Sequence, residues 1–188
     1  MTGRIILKAK SKSGKEIVFR YVSIGDHEAI TDYMNTISDE KIFISFQGEK
    51  LTYEDEKKFV IGEVKNIKEH KSVTILALHE NKIIGMSGIN LKVRVENHVG
   101  EFGITVAKDF RGDGIGKIFV KTMIEEAIKN CSGMKIVSLG VFSNNTVAIS
   151  LYKKFGFIQH GCLPKGIKYK DSFVDRVEMY LNIEDYKM

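Results

Sequence analysis

The chain has 188 residues, 43% of them hydrophobic, and a formal charge of +5. That length carries one substantial core and is short for two, so a single domain is expected over 1–188. The basic residues are interleaved with acids, as in "EDEKK" and "IEEAIKN", and no basic tract with interspersed aromatics occurs, which favours a solvated surface over nucleic-acid binding and suits an anionic small ligand. Cys131 and Cys162 stand apart from each other and from any histidine cluster, so neither a disulfide framework nor a zinc site is expected. The stretch "MTGRIILKAKSKSGK" breaks its apolar run at Lys8 and no segment is long and apolar enough to span a membrane, so a cytoplasmic protein with reduced thiols and no membrane partner is expected.

In chain order, residues 4–10 and 16–23 read as a hairpin around "SKSG". Asp26 is placed to cap a helix reaching about residue 38, and Thr52 to cap a second, with acids in its first turn, reaching about residue 68. "VTILALHE", "IIGMSGINLKVRV" and "HVGEFGITV" then predict three consecutive antiparallel strands. Ile115, Phe119, Met123 and Ala127 recur at helical spacing, followed by the strand "KIVSLGVF". A further helix is expected from Asn145 to Phe155, stopped at Gly156. "GFIQHGCL" and "SFVDRVEMYLNI" predict a closing strand pair, with Pro164 between them. The fold class is therefore α/β, with a mixed, mostly antiparallel sheet and helices on both faces.

The stretch "VAKDFRGDGIGKIFV", Val106 to Val120, carries the chemistry. Its glycines at 112, 114 and 116 fail the dinucleotide pattern, which needs Gly-x-Gly-x-x-Gly and an acid about 20 residues on. They fail the P-loop as well, because Ile118 rather than Ser or Thr follows Lys117. What remains is a strand delivering the chain to a glycine turn whose amides, with those of a helix's first turn, approach an anion. Tight helix packing alone would also use glycines there.

A second constellation, "VFSNNTVAISLYKKFGF", places Asn145, Ala148, Tyr152, Gly156 and Phe157 at fixed intervals. With Arg111-x-x-Gly114-x-Gly116 it resembles the GNAT superfamily of acyl-CoA-dependent N-acetyltransferases, whose phosphate motif is Arg/Gln-x-x-Gly-x-Gly/Ala and whose next helix carries Asn-x-x-Ala-x-x-x-Tyr-x-x-x-Gly-Phe. The resemblance covers residue 73 to the end and is vaguer before it. It implies an acetyl-CoA-binding core over 73–183, an acceptor-side portion over 1–70, and a GNAT-like fold. It implies that the backbone of Arg111, Gly112, Asp113, Gly114, Ile115, Gly116 and Lys117 binds the CoA pyrophosphate. It implies too that the strand before the turn splays from its neighbour, with an amide at Val106, beside Ala107 and Lys108, meeting the thioester carbonyl. Tyr152 matches the tyrosine that protonates the leaving thiolate, against the plain reading that it packs the core. Asn145 matches a residue that caps its helix and bonds the pantetheine arm. The partners implied are acetyl-CoA and an amine acceptor; a homodimer is compatible.

For the base, Glu101 is the candidate, because Phe102, Ile104 and Val106 share one face of their strand and Glu101, Gly103 and Thr105 the other. A solvated strand-end glutamate with water as base is the competing reading. A non-catalytic CoA-binding module is the alternative for the whole chain.

Overall fold

The computed structural model describes residues 2–186, so positions 1, 187 and 188 of the expected domain lie outside the described residues. The chain opens with a hairpin of β1 (Ile5–Lys10) and β2 (Glu16–Tyr21), turned by Gly14 in the left-handed region at φ 87°. Ile17, Phe19 and Tyr21 bury one face of β2, and Arg20 on the other grips Asp26 at 2.6 and 2.7 Å. Asp26 precedes α1 (His27–Asp39) but does not cap it: its carboxylate accepts from the Ser23 amide, 2.7 Å away, and from Arg20, which holds its pKa below the ordinary carboxylate range despite partial burial. Thr52 does cap α2 (Tyr53–Lys68), accepting from the Asp55 amide at 3.2 Å. Thr52→Ala is expected to cost about 1 kcal/mol and lower the melting midpoint by about 2–4 °C, read by thermal unfolding.

The meander follows as β3 (Ser72–His79), β4 (Lys82–Leu91) and β5 (Val99–Val106), then α3 (Ile115–Asn130), β6 (Ile136–Phe142), α4 (Thr146–Lys154), β7 (Ile158–Tyr169) and β8 (Ser172–Asn182). One eight-stranded sheet results, in the order β1-β2-β3-β4-β5-β6-β8-β7. Its pairs are antiparallel except β5 with β6. The last hairpin departs from expectation: Pro164 lies within β7, at a register irregularity between Leu163 and Ile167, rather than between the strands. A bulge is where a strand accommodates a residue without a ladder donor.

Helices cover both faces. On one, the Tyr33 hydroxyl of α1 donates to Thr105 Oγ1 at 3.1 Å, and Glu63 of α2 accepts from Thr74 of β3 at 2.5 Å. On the other, Phe119 of α3 meets Phe19 edge-on at 5.1 Å, and lies so close beneath Gly85 that a Cβ there would stand 2.6 Å from its ring. β3, sandwiched between the helix layers, is buried almost along its whole length.

The sheet is interrupted where the site forms. β5 and β6 pair only from Val99↔Ile136 to Glu101↔Ser138. Beyond that, β5 stays with β4 as far as Val106↔Gly85, while β6 stays with β8 as far as Phe142↔Arg176. The two strands therefore diverge, and a gap opens in the sheet above Glu101.

Candidate active site

The glycine turn stands at the end of β5. Gly112 and Gly114 have φ of 74° and 86°, values that favour glycine, and Gly114 is the residue before α3. Gly116 has ordinary helical backbone; a Cβ there would lie 3.4 Å from Leu151 of α4, so this glycine also serves close helix approach. The cradle is narrower than the sequence suggested. The Arg111 amide donates to the Lys108 carbonyl at 3.2 Å and the Lys117 amide to the Gly114 carbonyl at 3.1 Å. Among the described residues, the amides of Gly112, Asp113, Gly114, Ile115 and Gly116 have no such internal acceptor, a run suited to an anion at the start of a helix.

The Arg111 side chain does not face that cradle. Its Nε donates to the Val106 carbonyl at 2.8 Å and its Nη2 meets Glu40 at 2.5 Å, tying the end of β5 to the end of α1. Sequence reasoning missed Glu40 and Tyr33, since neither belongs to a motif and only the fold brings them to β5.

Of the amides expected at the thioester, that of Ala107 is taken, donating to the Ile84 carbonyl at 2.9 Å. Residues that exchange bonds across an antiparallel ladder alternate with residues that do not. Val106, opposite Gly85, therefore turns its N–H away from β4 and toward the gap between β5 and β6. Lys108 is exposed and follows this point.

Asn145 caps α4, its Oδ1 accepting from the Ala148 amide at 3.2 Å, which leaves its side-chain NH2 as donor for another group. Tyr152, one helical stretch on, packs edge-on against Phe102 of β5 at 5.9 Å and lies 5.7 Å from Phe157. The residue is 8% exposed, yet among the described residues the hydroxyl has no hydrogen-bond partner and is not sealed from solvent. Burial pushes its pKa up to about 12.

Glu101 is exposed on the α1 and α2 face, at the last β5–β6 pair before the strands part. A cavity of about 510 Å³ lies beside it, lined also by Ser138, Gly140, Tyr180, Arg176 and Glu178. Arg176 lies across Gly140 and pairs with Glu178 at 2.7 Å. Phe43, from the segment joining α1 to α2, stacks on Tyr169 at 5.3 Å and meets Phe142 edge-on at 5.7 Å, closing the space beyond the end of β6. The aromatic trio draws on three distant segments and left no local signal in the sequence.

Residues 34–157 match the model of the acetyltransferase (GNAT) family. Over 106 residues the chain is 29% identical to the L-amino acid N-acetyltransferase AaaT of Escherichia coli (strain K12), covering 56% of this chain and 65% of that protein, just under two thirds of its length. Over 117 residues it is 27% identical to the probable spermine N(1)-acetyltransferase of Bacillus subtilis subsp. natto (strain BEST195), covering 60% of this chain and 75% of that one. Its fold superimposes on the crystal structure of a GNAT-family acetyltransferase from Streptococcus pneumoniae with a TM-score of 0.81 and 26% identity, covering 88% of this chain and 98% of that one. With the glycine turn, the parted strands and the tyrosine-bearing helix in one place, the chain belongs to the GNAT acetyltransferase family.

Proposed function

We propose that the protein is an N-acetyltransferase that moves an acetyl group from acetyl-CoA to a primary amine by direct attack in a ternary complex. The observation that carries this reading is the parting of β5 from β6 above the free amides of residues 112–116, with the Val106 N–H directed into the gap. The turn amides hold the pyrophosphate, and the Val106 N–H meets the thioester oxygen as negative charge builds on it. The amine nitrogen forms its bond to the acetyl carbon, and the C–S bond breaks. The sulfur receives its proton from the Tyr152 hydroxyl, which is restored from solvent. The surplus proton on nitrogen leaves through Glu101 or water. Residues 73–183 supply the cofactor side of this arrangement, and α1 with α2 wall the acceptor side.

The acceptor is a small cationic amine. The cavity beside the gap is lined by Glu101, Glu178, Lys92 and Arg176; Arg176 engages Glu178 and Lys92 engages Glu96, so Glu101 is the carboxylate left to attract an ammonium group. Spermine and L-amino acids, named for the two relatives, bracket the compounds to test, and amino-terminal peptides form the contrasting arm. The experiment is free-thiol release from acetyl-CoA across such a panel. No turnover with any amine, alongside intact acetyl-CoA binding, would favour the non-catalytic CoA-binding module.

Glu101→Gln is expected to depress activity on polyamines at neutral pH, with the deficit shrinking as pH rises. An amine of lysine-like pKa, about 10.4, is only about one part in 2,500 neutral at pH 7, so help with the proton matters most there. Superimposed pH profiles for parent and variant would make Glu101 a solvated residue and leave the acetyltransferase reading standing.

A further inference from the structure

The turn of the first hairpin, although 100 residues away in sequence, is fastened onto the glycine turn. The Ser13 amide donates to Asp113 Oδ1 at 2.7 Å, the Ser13 hydroxyl donates to Asp113 Oδ2 at 2.6 Å, and the Lys12 amide donates to the Asp113 carbonyl at 3.0 Å. Lys15 adds a bond to the Asp109 carbonyl at 3.4 Å and sits 4.4 Å above the Phe110 ring. The Lys12 side chain runs alongside Gly114, where a Cβ would meet its Cγ at 3.3 Å and its Cε at 3.6 Å.

Two features of the glycine turn make these contacts more than a brace. Asp113 places a carboxylate in the middle of a run of amides suited to an anion, and such a charge opposes phosphate unless a cation offsets it. The Ser13 hydroxyl, then the Ser11 hydroxyl, hold it ionised, below the usual carboxylate range. Meanwhile the guanidinium of Arg111 is committed to Glu40 and Val106, so it does not supply the positive charge that a pyrophosphate calls for.

We infer that the turn between β1 and β2 is the second wall of the cofactor phosphate site. Lys12 supplies an ammonium group to the pyrophosphate, and Ser13 is a positioning residue that engages both Asp113 oxygens and fixes the amide cradle. This rests on the cofactor reading above, and it moves residues 12 and 13 from the acceptor-side portion to the cofactor side.

The test is calorimetric binding of acetyl-CoA, CoA and 3′-dephospho-CoA to the full chain. Lys12→Ala is expected to weaken CoA and 3′-dephospho-CoA alike, by about three- to five-fold, and to flatten the salt dependence, with Lys12→Arg close to the parent. Ser13→Ala is expected to weaken acetyl-CoA by about five-fold, raising KM for the donor rather than lowering kcat, and to add nothing further in an Asp113→Ala background. A Lys12→Ala loss seen with CoA but not with 3′-dephospho-CoA would overturn the pyrophosphate assignment. Parent-like binding by both single variants would overturn the inference alone, whereas a parent that binds no acetyl-CoA would remove the cofactor reading with it.

Discussion

Replacing Tyr152 with phenylalanine is expected to lower kcat about 100-fold while leaving acetyl-CoA affinity close to that of the parent. The substitution removes one hydroxyl and keeps the ring that packs between Phe102 and Phe157, so the fold and the cofactor pocket should persist. The expected loss lies at the lower end of the range for acid catalysis, about 100- to 10,000-fold, for a reason visible in the environment of the residue. Burial raises the Tyr152 pKa to about 12, which keeps it protonated at neutral and moderately alkaline pH but also makes it a weak acid. A thiol's ordinary pKa is about 8.5, so in the proposed mechanism the hydroxyl would stabilise the departing sulfur chiefly as a hydrogen-bond donor and give up its proton only as the C–S bond breaks. The sign follows: a group protonated below a pKa of about 12 does not titrate between pH 6 and 10. The ratio of parent to variant turnover should therefore stay constant over that interval, while both rates climb as the amine deprotonates. Equal turnover in single-turnover measurements would return Tyr152 to a packing role; a ratio that collapses by pH 9 would show a hydroxyl far more acidic than its burial allows.

The parts legible in the sequence were those written in consecutive residues. Thr52 followed by acids gave the α2 cap, Asn145 with Ala148 gave the α4 cap, and the alternation in "GEFGITV" put Phe102 and Thr105 on opposite faces of β5. Asp26 was legible as a helix-start residue but not in its contacts, because its partners Arg20 and Ser23 lie upstream of α1. The motif glycines pointed to the cradle without revealing that Arg111 and Lys117 spend their amides inside the turn. That closure depends on backbone geometry that spacing does not encode.

The proposed acceptor side was illegible for a different reason. The Arg111–Glu40 pair spans 71 residues, the Tyr33–Thr105 bond 72, and the Phe43, Phe142 and Tyr169 trio joins three separate elements. Each contact is made by residue types common on any surface or core, and only the sheet order brings them together. In a shared fold, the anion cradle is fixed by backbone and leaves glycines as its trace, whereas an acceptor wall built from side chains is free to vary. That contrast explains why the cofactor could be read from residues 106–117 and 145–157 while the amine could not.

Gly114→Val is expected to abolish measurable acetyl-CoA binding, weakening it by at least about 100-fold. Losing two charge-assisted hydrogen bonds of about 1.5–3 kcal/mol each is sufficient for that. Gly114 sits at φ 86° and ψ −8°, a conformation that costs an ordinary L-residue about 1–2 kcal/mol and a β-branched one more. Valine there must either hold the strained turn, with its branch at the mouth of the Ile115 and Gly116 amides, or release the strain by rotating those amides away. Both routes spoil the cradle, and its Cβ would in addition press on Lys12 at 3.3 Å. The strain alone should lower the melting midpoint by about 2–8 °C, which thermal unfolding reads independently of binding. Gly114→Asn separates the two effects, since asparagine tolerates the left-handed region. It should recover most of the lost melting temperature while still binding acetyl-CoA more weakly than the parent, because a side chain remains beside the cradle. Parent-like affinity in the valine variant would show that the turn serves only to join β5 to α3, and the phosphate would have to be sought elsewhere in the molecule.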